Sequence, residues 1–152
     1  MTFKMENVKG IIFDWVGTLS DGSRKLFPCS MRVIEKLSKN YRLGLVSLAG
    51  HGVEARKEDI ESTGVLRYLK SVIIDTSKNQ EHYLRCMREM ETTPETTLIV
   101  DDRTQRGIMI GNQIGCRTFW IKDGPYSHEI PDEKTGQPTK IINSVEDLLN
   151  II

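Results

Sequence analysis

Short apolar runs alternate with stretches of helical periodicity along the chain. Gly10-Ile11-Ile12-Phe13 is an apolar run that stops at Asp14. A run of that length between turn residues predicts a strand buried on both faces. Behind Ser30, read as an N-cap, Met31, Ile34 and Leu37 recur at helical spacing and predict a helix over 30–40. Leu43 to Val46 is the second apolar run, ending at Ser47. A charged, helix-friendly stretch from Gly52 to Thr63 follows and is stopped by Gly64. Ser71 to Ile74 is the third run. Lys78 to Glu91 predicts a helix with Tyr83, Leu84, Met87 and Met90 on or near one face. Thr97 to Val100 is the fourth run and ends at Asp101-Asp102. Residues 107–114 predict a helix terminated by Gly115, and Arg117 to Ile121 a fifth strand. The polar, Gly- and Pro-containing stretch from Asp123 to Pro138 reads as a loop. Lys140 to Ile142 predicts a short sixth strand, and Ser144 caps a last helix from Val145 to Ile152.

Strands that alternate with helices predict an α/β fold: a doubly wound, mostly parallel sheet, with helices on both faces because crossovers are right-handed. The 152 residues suit one domain, 1–152, around one core. Composition narrows the possibilities further. With 21 Lys+Arg against 21 Asp+Glu there is no basic field for nucleic acid. No apolar run reaches the ~18–20 residues that span a bilayer, and the first residues lack the apolar core of a secretion signal. Cys29, Cys86 and Cys116 are scattered, which argues against a disulfide framework or a zinc knuckle. A cytoplasmic protein is expected.

In an open parallel sheet, ligands bind beyond the carboxyl ends of the strands. Here those ends carry Asp14, Ser47 and Asp101-Asp102, with Lys78 just past the third strand. Carboxylates hold a hard divalent cation, while an ammonium and a hydroxyl position phosphoryl oxygens. Gly17 and Gly50 let backbone approach an anion closely. Each residue also has a plainer reading: a strand-end turn for Asp14, a capping hydroxyl for Ser47, a helix N-cap for Asp102, a solvated ammonium for Lys78. Lys70 competes with Lys78 but precedes its strand and lies at the wrong end.

Phe13-Asp14-Trp15-Val16-Gly17-Thr18-Leu19 resembles the first motif of the haloacid dehalogenase (HAD) superfamily, whose phosphatases carry Asp-x-Asp-Gly-Thr-Leu. Leu43 to Ser47 resembles the second motif, Lys78 the third-motif lysine, and Leu98-Ile99-Val100-Asp101-Asp102 the fourth. The likeness runs from Gly10 to about Gly124. It implies a Rossmann-like core and a Mg²⁺-dependent hydrolase of phosphoesters acting through an aspartyl-phosphate. Asp14 would be the nucleophile. Ser47, Lys78, Gly17 and Thr18 would bind the phosphoryl group. Asp14, Asp102, the Val16 carbonyl and Asp101 (as ligand or outer partner) would hold Mg²⁺. The substrate would be a phosphorylated small molecule or a larger phosphorylated partner.

Val16 departs from the family pattern, since phosphatases of the family place an acid–base Asp there. Valine has no proton to exchange, and loss of a general acid typically costs ~10²–10⁴-fold in rate. A substrate with a good leaving group needs that acid less. The alternative is a relative that keeps the fold, binds phosphate or a partner, and has little or no turnover. Phosphonoacetaldehyde hydrolases and haloacid dehalogenases also lack the second acid, but they carry a cap domain. Here 32 residues (15–46) and 30 residues (48–77) separate Asp14, Ser47 and Lys78, too few for a cap beside the helices. A capless site suits large substrates or shielding by homo-oligomerisation. After Asp102, Arg106 and Gly107 stand where the family commonly has another acid. Arg103 and Arg106 read as solvated helix residues or anion binders. His51 is a candidate replacement acid–base group, while His82 and His128 read as incidental.

Overall fold

The computed structural model describes residues 6–50 and 52–151. Of the residues read above, His51 and Ile152 lie outside them. Six strands form one parallel sheet: β1 Gly10–Phe13, β2 Arg42–Leu48, β3 Ser71–Asp75, β4 Thr97–Asp101, β5 Arg117–Ile121 and β6 Lys140–Ile142. Their spatial order is β3-β2-β1-β4-β5-β6. The connecting helices are α1 Ser30–Ser38, α2 Val53–Thr63, α3 Gln80–Met90, α4 Met109–Ile114 and α5 Leu148–Ile151.

Side chains alternate across the pleat, so each central strand feeds two cores. Ile11, Phe13, Leu43, Leu45, Leu98, Val100 and Phe119 pack with Val33, Ile34 and Leu37 of α1 and Leu148 of α5. Ile12, Val46, Ile73 and Ile99 pack on the other face against Tyr83, Cys86, Met87 and Met90 of α3 and Ile110 of α4. This is the doubly wound α/β architecture expected from the alternation. Gly44 lies under α3, where a Cβ would press on Cys86 and Met90, so its small size sets the helix–sheet distance.

Several boundaries moved, each for a local reason. Ser30 is the first residue of α1 rather than its cap, and its hydroxyl donates to the Leu19 carbonyl at 2.8 Å. α3 begins two residues after Lys78, capped by a reciprocal pair in which Asn79 accepts from the His82 amide and the His82 ring accepts from the Asn79 amide. His82 also meets Asp75 at 2.9 Å, so it ties the β3–α3 turn together rather than being incidental. The helix read as 107–114 opens earlier, with a π-helical turn over Thr104–Ile108. Between Asp14 and Ser47 the described chain holds a turn-rich segment, α1 and most of β2. Between Ser47 and Lys78 it holds α2 and a short 3-10 turn, Val65–Tyr68. No helix among the described residues is long and apolar enough to cross a membrane.

Register places the strand-end residues at one level. Phe13 pairs with Leu45 on one side and Val100 on the other. Asp14 continues the ladder, its amide donating to the Val100 carbonyl at 3.1 Å. Asp14, Ser47 and Asp101 therefore emerge at the same edge, at the point where the chain reverses direction across the sheet between β1 and β4.

Candidate active site

Asp14, Asp101 and Asp102 meet at this edge, with one carboxylate oxygen from each lying within 4.8 Å of the others. The Lys78 ammonium reaches in from the opening of α3. It lies 2.9 Å from Asp14 Oδ1 and 3.5 Å from Asp101 Oδ2, with its side chain 3% exposed. Burial alone would lower the Lys78 pKa. Asp14, Tyr83 and Asp101 outweigh burial and hold it well above its ordinary value, so the ammonium stays charged. One ammonium cannot neutralise three acids. Burial, and then the neighbouring acids, push the carboxyls of Asp101 and Asp102 above the ordinary carboxylate range.

The local folding explains how such a cluster is tolerated. Asp101 Oδ1 accepts from the Arg103 amide and Oδ2 from the Gly107 amide, both at 3.0 Å. The π-helical opening of Thr104–Ile108 thus wraps its amides around one carboxylate. A Cβ at Gly107 would clash with that carboxylate. Gly107, met in the sequence as a departure from the acidic pattern, is the residue that makes the Asp101 cradle. Gly107→Ala is expected to destabilise the fold by about 1–3 kcal/mol and to displace Asp101, measured by urea unfolding and by loss of metal-induced stabilisation.

Asp102 differs from Asp101. Its backbone is pinned by Trp120, whose indole Nε1 donates to the Asp102 carbonyl at 3.0 Å. Its carboxylate Oδ1 is buried without a partner. Gly17, at φ +86°, passes so close that a Cβ there would overlap the Asp102 carboxylate. The close backbone approach foreseen at Gly17 is therefore to Asp102. The Gly17 amide is already used within the turn, donating to Ser20 at 2.7 Å, and the Thr18 amide donates to Trp15 at 3.2 Å. What Thr18 leaves available is its hydroxyl, buried and unpartnered. Gly50 borders open space and is required by no close contact.

Ser47 is buried, and its hydroxyl accepts from Arg56 of α2 at 2.7 Å. Arg56 also donates to the Leu48 carbonyl at 3.0 Å. A lone Arg in a charged helix offered no signal for this pairing. Val16 stands 41% exposed beside the acids. Arg103 is not a solvated residue. Its guanidinium pairs with Glu129 at 2.9 Å and lies 3.7 Å from the Tyr126 ring centroid, latching the 123–138 loop onto the end of β4. Thr104 adds a bond from its hydroxyl to the Glu129 carbonyl at 2.8 Å.

The donor set suits a hard cation. It consists of oxygens only, with an excess of negative charge and an orphaned buried oxygen on Asp102. Asp14, Asp101 and Asp102 could hold a metal ion, and among the described residues no histidine or cysteine joins them to favour zinc.

Comparison with known proteins bears on the same elements. The HAD-hydrolase-like family model matches residues 77–148, a little under half of the chain, the part that carries Lys78, Asp101 and Asp102. A HAD hydrolase from Bacillus subtilis (YfnB), solved bound to magnesium, superposes with a TM-score of 0.70 at 19% identity, over 84% of this chain and 56% of its own. The chain is similar to HAD-like hydrolases in sequence over 77–148 and shares their fold.

Two other HAD structures show how much of this superfamily's architecture the chain shares. A HAD phosphatase from Thermococcus onnurineus gives a TM-score of 0.68 at 20% identity, covering 84% of this chain and 58% of that one. A haloacid dehalogenase-like hydrolase from Streptococcus pneumoniae gives 0.72 at 12% identity, covering 95% and 98%. The chain thus spans under three-fifths of the Bacillus and Thermococcus proteins and almost the whole of the Streptococcus one. No curated protein matches it by sequence. Within this HAD-like fold, the cluster of Asp14, Lys78, Asp101 and Asp102 occupies the switch point of the sheet.

Proposed function

We propose that this HAD-like protein hydrolyses a phosphoester with the help of Mg²⁺, through a phosphoryl group carried transiently on Asp14. The supporting observation is the buried Lys78 ammonium 2.9 Å from Asp14, within a cluster of three acids that a divalent cation would neutralise. Asp14 and Asp102, with the Val16 carbonyl, would hold the ion, and Asp101 would act as a further ligand or as an outer partner to Lys78. Two of the contacts to Asp101 are already backbone amides, which favours the outer role. Bound there, Mg²⁺ supplies charge stabilisation to the transferring phosphoryl oxygens.

The chain's own groups do the rest. Lys78 orients the Asp14 carboxylate for attack and, staying charged, attracts the phosphoryl oxygens. The Ser47 hydroxyl accepts from Arg56 and so keeps its proton free to donate to the same group. The unpartnered Thr18 hydroxyl is a second donor at this rim.

The test is direct. Purified protein with Mg²⁺ should hydrolyse p-nitrophenyl phosphate or acetyl phosphate, and EDTA should stop it. Mg²⁺ binding without turnover across a broad phosphoester panel would instead support the non-catalytic binding protein that Val16 brings to mind. Mg²⁺ should also raise the melting temperature, since a ligand at 100 times its Kd stabilises by about 2.7 kcal/mol. Asp102→Asn should remove most of that gain, as read by thermal unfolding with and without the ion.

A further inference from the structure

A cleft of about 580 Å³ leads away from the acids, between the turn after β1, the start of α1, the end of β5 and the turn before α5. Asp102 and Gly17 form its inner end. Its walls are chiefly apolar: Phe27, Pro28, Ile121, Pro125, Tyr126 and Val145. The Arg103 guanidinium lies 3.7 Å from the Tyr126 ring centroid and is itself paired with Glu129, which steadies this aromatic wall. Asp102, which meets Asp14 in the acid cluster, also lines this slot, so the slot is open to the ester substituent of a phosphoryl group carried on Asp14.

Val16 stands at the junction of cleft and acids. It has no proton to give to a departing oxygen. Of the carboxylates that line the cleft, Asp102 is the one assigned to the ion, and the outer three do not replace the missing acid. Asp21 accepts from the hydroxyl and the amide of Ser23, which hold its carboxyl below the ordinary range and so keep it ionised. Glu146 pairs with Arg32. Asp123 is exposed at the outer rim. Among the described residues, no histidine or lysine lines the cleft. An oxygen that departs here finds no proton donor among the described cleft residues and would leave as an anion, which only an acidic alcohol does readily.

We infer that the substrate is a phosphate monoester of an apolar phenol, whose ring fills this cleft and whose oxygen leaves unprotonated. The inference rests on the phosphatase reading above and names its substrate class. In the first step an Asp14 oxygen attacks phosphorus and a P–O(Asp) bond forms. The P–O(aryl) bond breaks, and its electron pair leaves on the phenolate. In the second step water attacks phosphorus and the P–O(Asp) bond breaks, returning the carboxylate and releasing inorganic phosphate. The proton lost by water is taken up by solvent or by the phenolate.

The experiment compares kcat/KM for phenyl, 2-naphthyl and p-nitrophenyl phosphates with glycerol phosphate and acetyl phosphate, in the native chain and in Val16→Asp. The expected result is a steep fall in rate as the leaving alcohol becomes less acidic. Aryl esters should exceed glycerol phosphate by about 10²-fold or more, a gap that Val16→Asp narrows. A second measurement needs no turnover. With Mg²⁺ present, benzylphosphonate should bind at least about tenfold more tightly than inorganic phosphate, and Tyr126→Ser should shrink that advantage. If acetyl phosphate is hydrolysed but glycerol phosphate is cleaved as fast as the aryl esters, or benzylphosphonate gains nothing over phosphate, the phenolic substrate is wrong and the phosphatase reading stands. If no phosphate compound is hydrolysed, acetyl phosphate included, both readings fall.

Discussion

Asp14→Asn should yield a folded protein whose phosphate turnover is at least about 10⁴-fold lower, the scale seen when a catalytic nucleophile is removed. The amide keeps the shape of the side chain and an oxygen that can accept from Lys78, now 2.9 Å from Asp14 Oδ1. It cannot form an acyl phosphate. It also removes one of three acids crowded within 4.8 Å of one another. Metal-free Asp14→Asn should therefore be no less stable than the native chain, while its response to Mg²⁺ weakens. That combination is expected of a site whose repulsion is kept for binding and chemistry rather than for folding. Acid-quench labelling with a radioactive phosphoester, alongside urea unfolding in EDTA, checks both halves. Retained turnover in the variant would remove Asp14 from the role proposed for it.

Lys78→Met should be equally inactive, and unlike Asp14→Asn it should destabilise the fold. Removing one partner from a buried ion pair typically costs about 3–5 kcal/mol, because the other charge is left uncompensated. Here the ammonium, 3% exposed, faces both Asp14 and Asp101. The pH dependence has a definite sign. Asp101 and Asp102 have folded-state pKa values raised above the ordinary 3.8. Their protonation thus favours the folded state at low pH, and that contribution is lost as pH rises through the elevated values. Without Lys78 the acids bind protons still more tightly. The deficit of Lys78→Met against the native chain should therefore be smaller at pH 5 than at pH 8. Urea unfolding at both pH values in EDTA measures it, and a deficit independent of pH would mean that Lys78 does not offset the acids.

Much of this was legible in the residues themselves. The four apolar runs ending in Asp14, Ser47, Asp75 and Asp101 are strands because period and length allow little else in an α/β alternation. Once the sheet is parallel, the residue that ends each run is carried to one rim. That is why Asp14, Ser47, Lys78, Asp101 and Asp102 could be singled out together, and why the HAD resemblance, carried by residues over ninety positions of chain, agrees with the fold. The helix starts were less legible. Asn79 caps α3 through a reciprocal bond with His82, and the amides of Arg103 and Gly107 wrap one carboxylate, arrangements that depend on backbone geometry rather than on residue type. The 123–138 stretch read only as a loop because its anchors, Glu129 to Arg103 and to Thr104, lie about 25 residues apart in the chain.

The amino-acid order by itself determined the strands, their polar ends and the family resemblance, since these depend on local periodicity and on a few residues at fixed offsets. Only the tertiary structure decided that β1 lies beside β4, that Asp102 keeps an unpaired oxygen while Asp101 is saturated, and that Val16 borders an apolar cleft. The physical reason is distance along the chain. Those features arise from contacts between segments tens of residues apart, which packing brings together and no local pattern encodes.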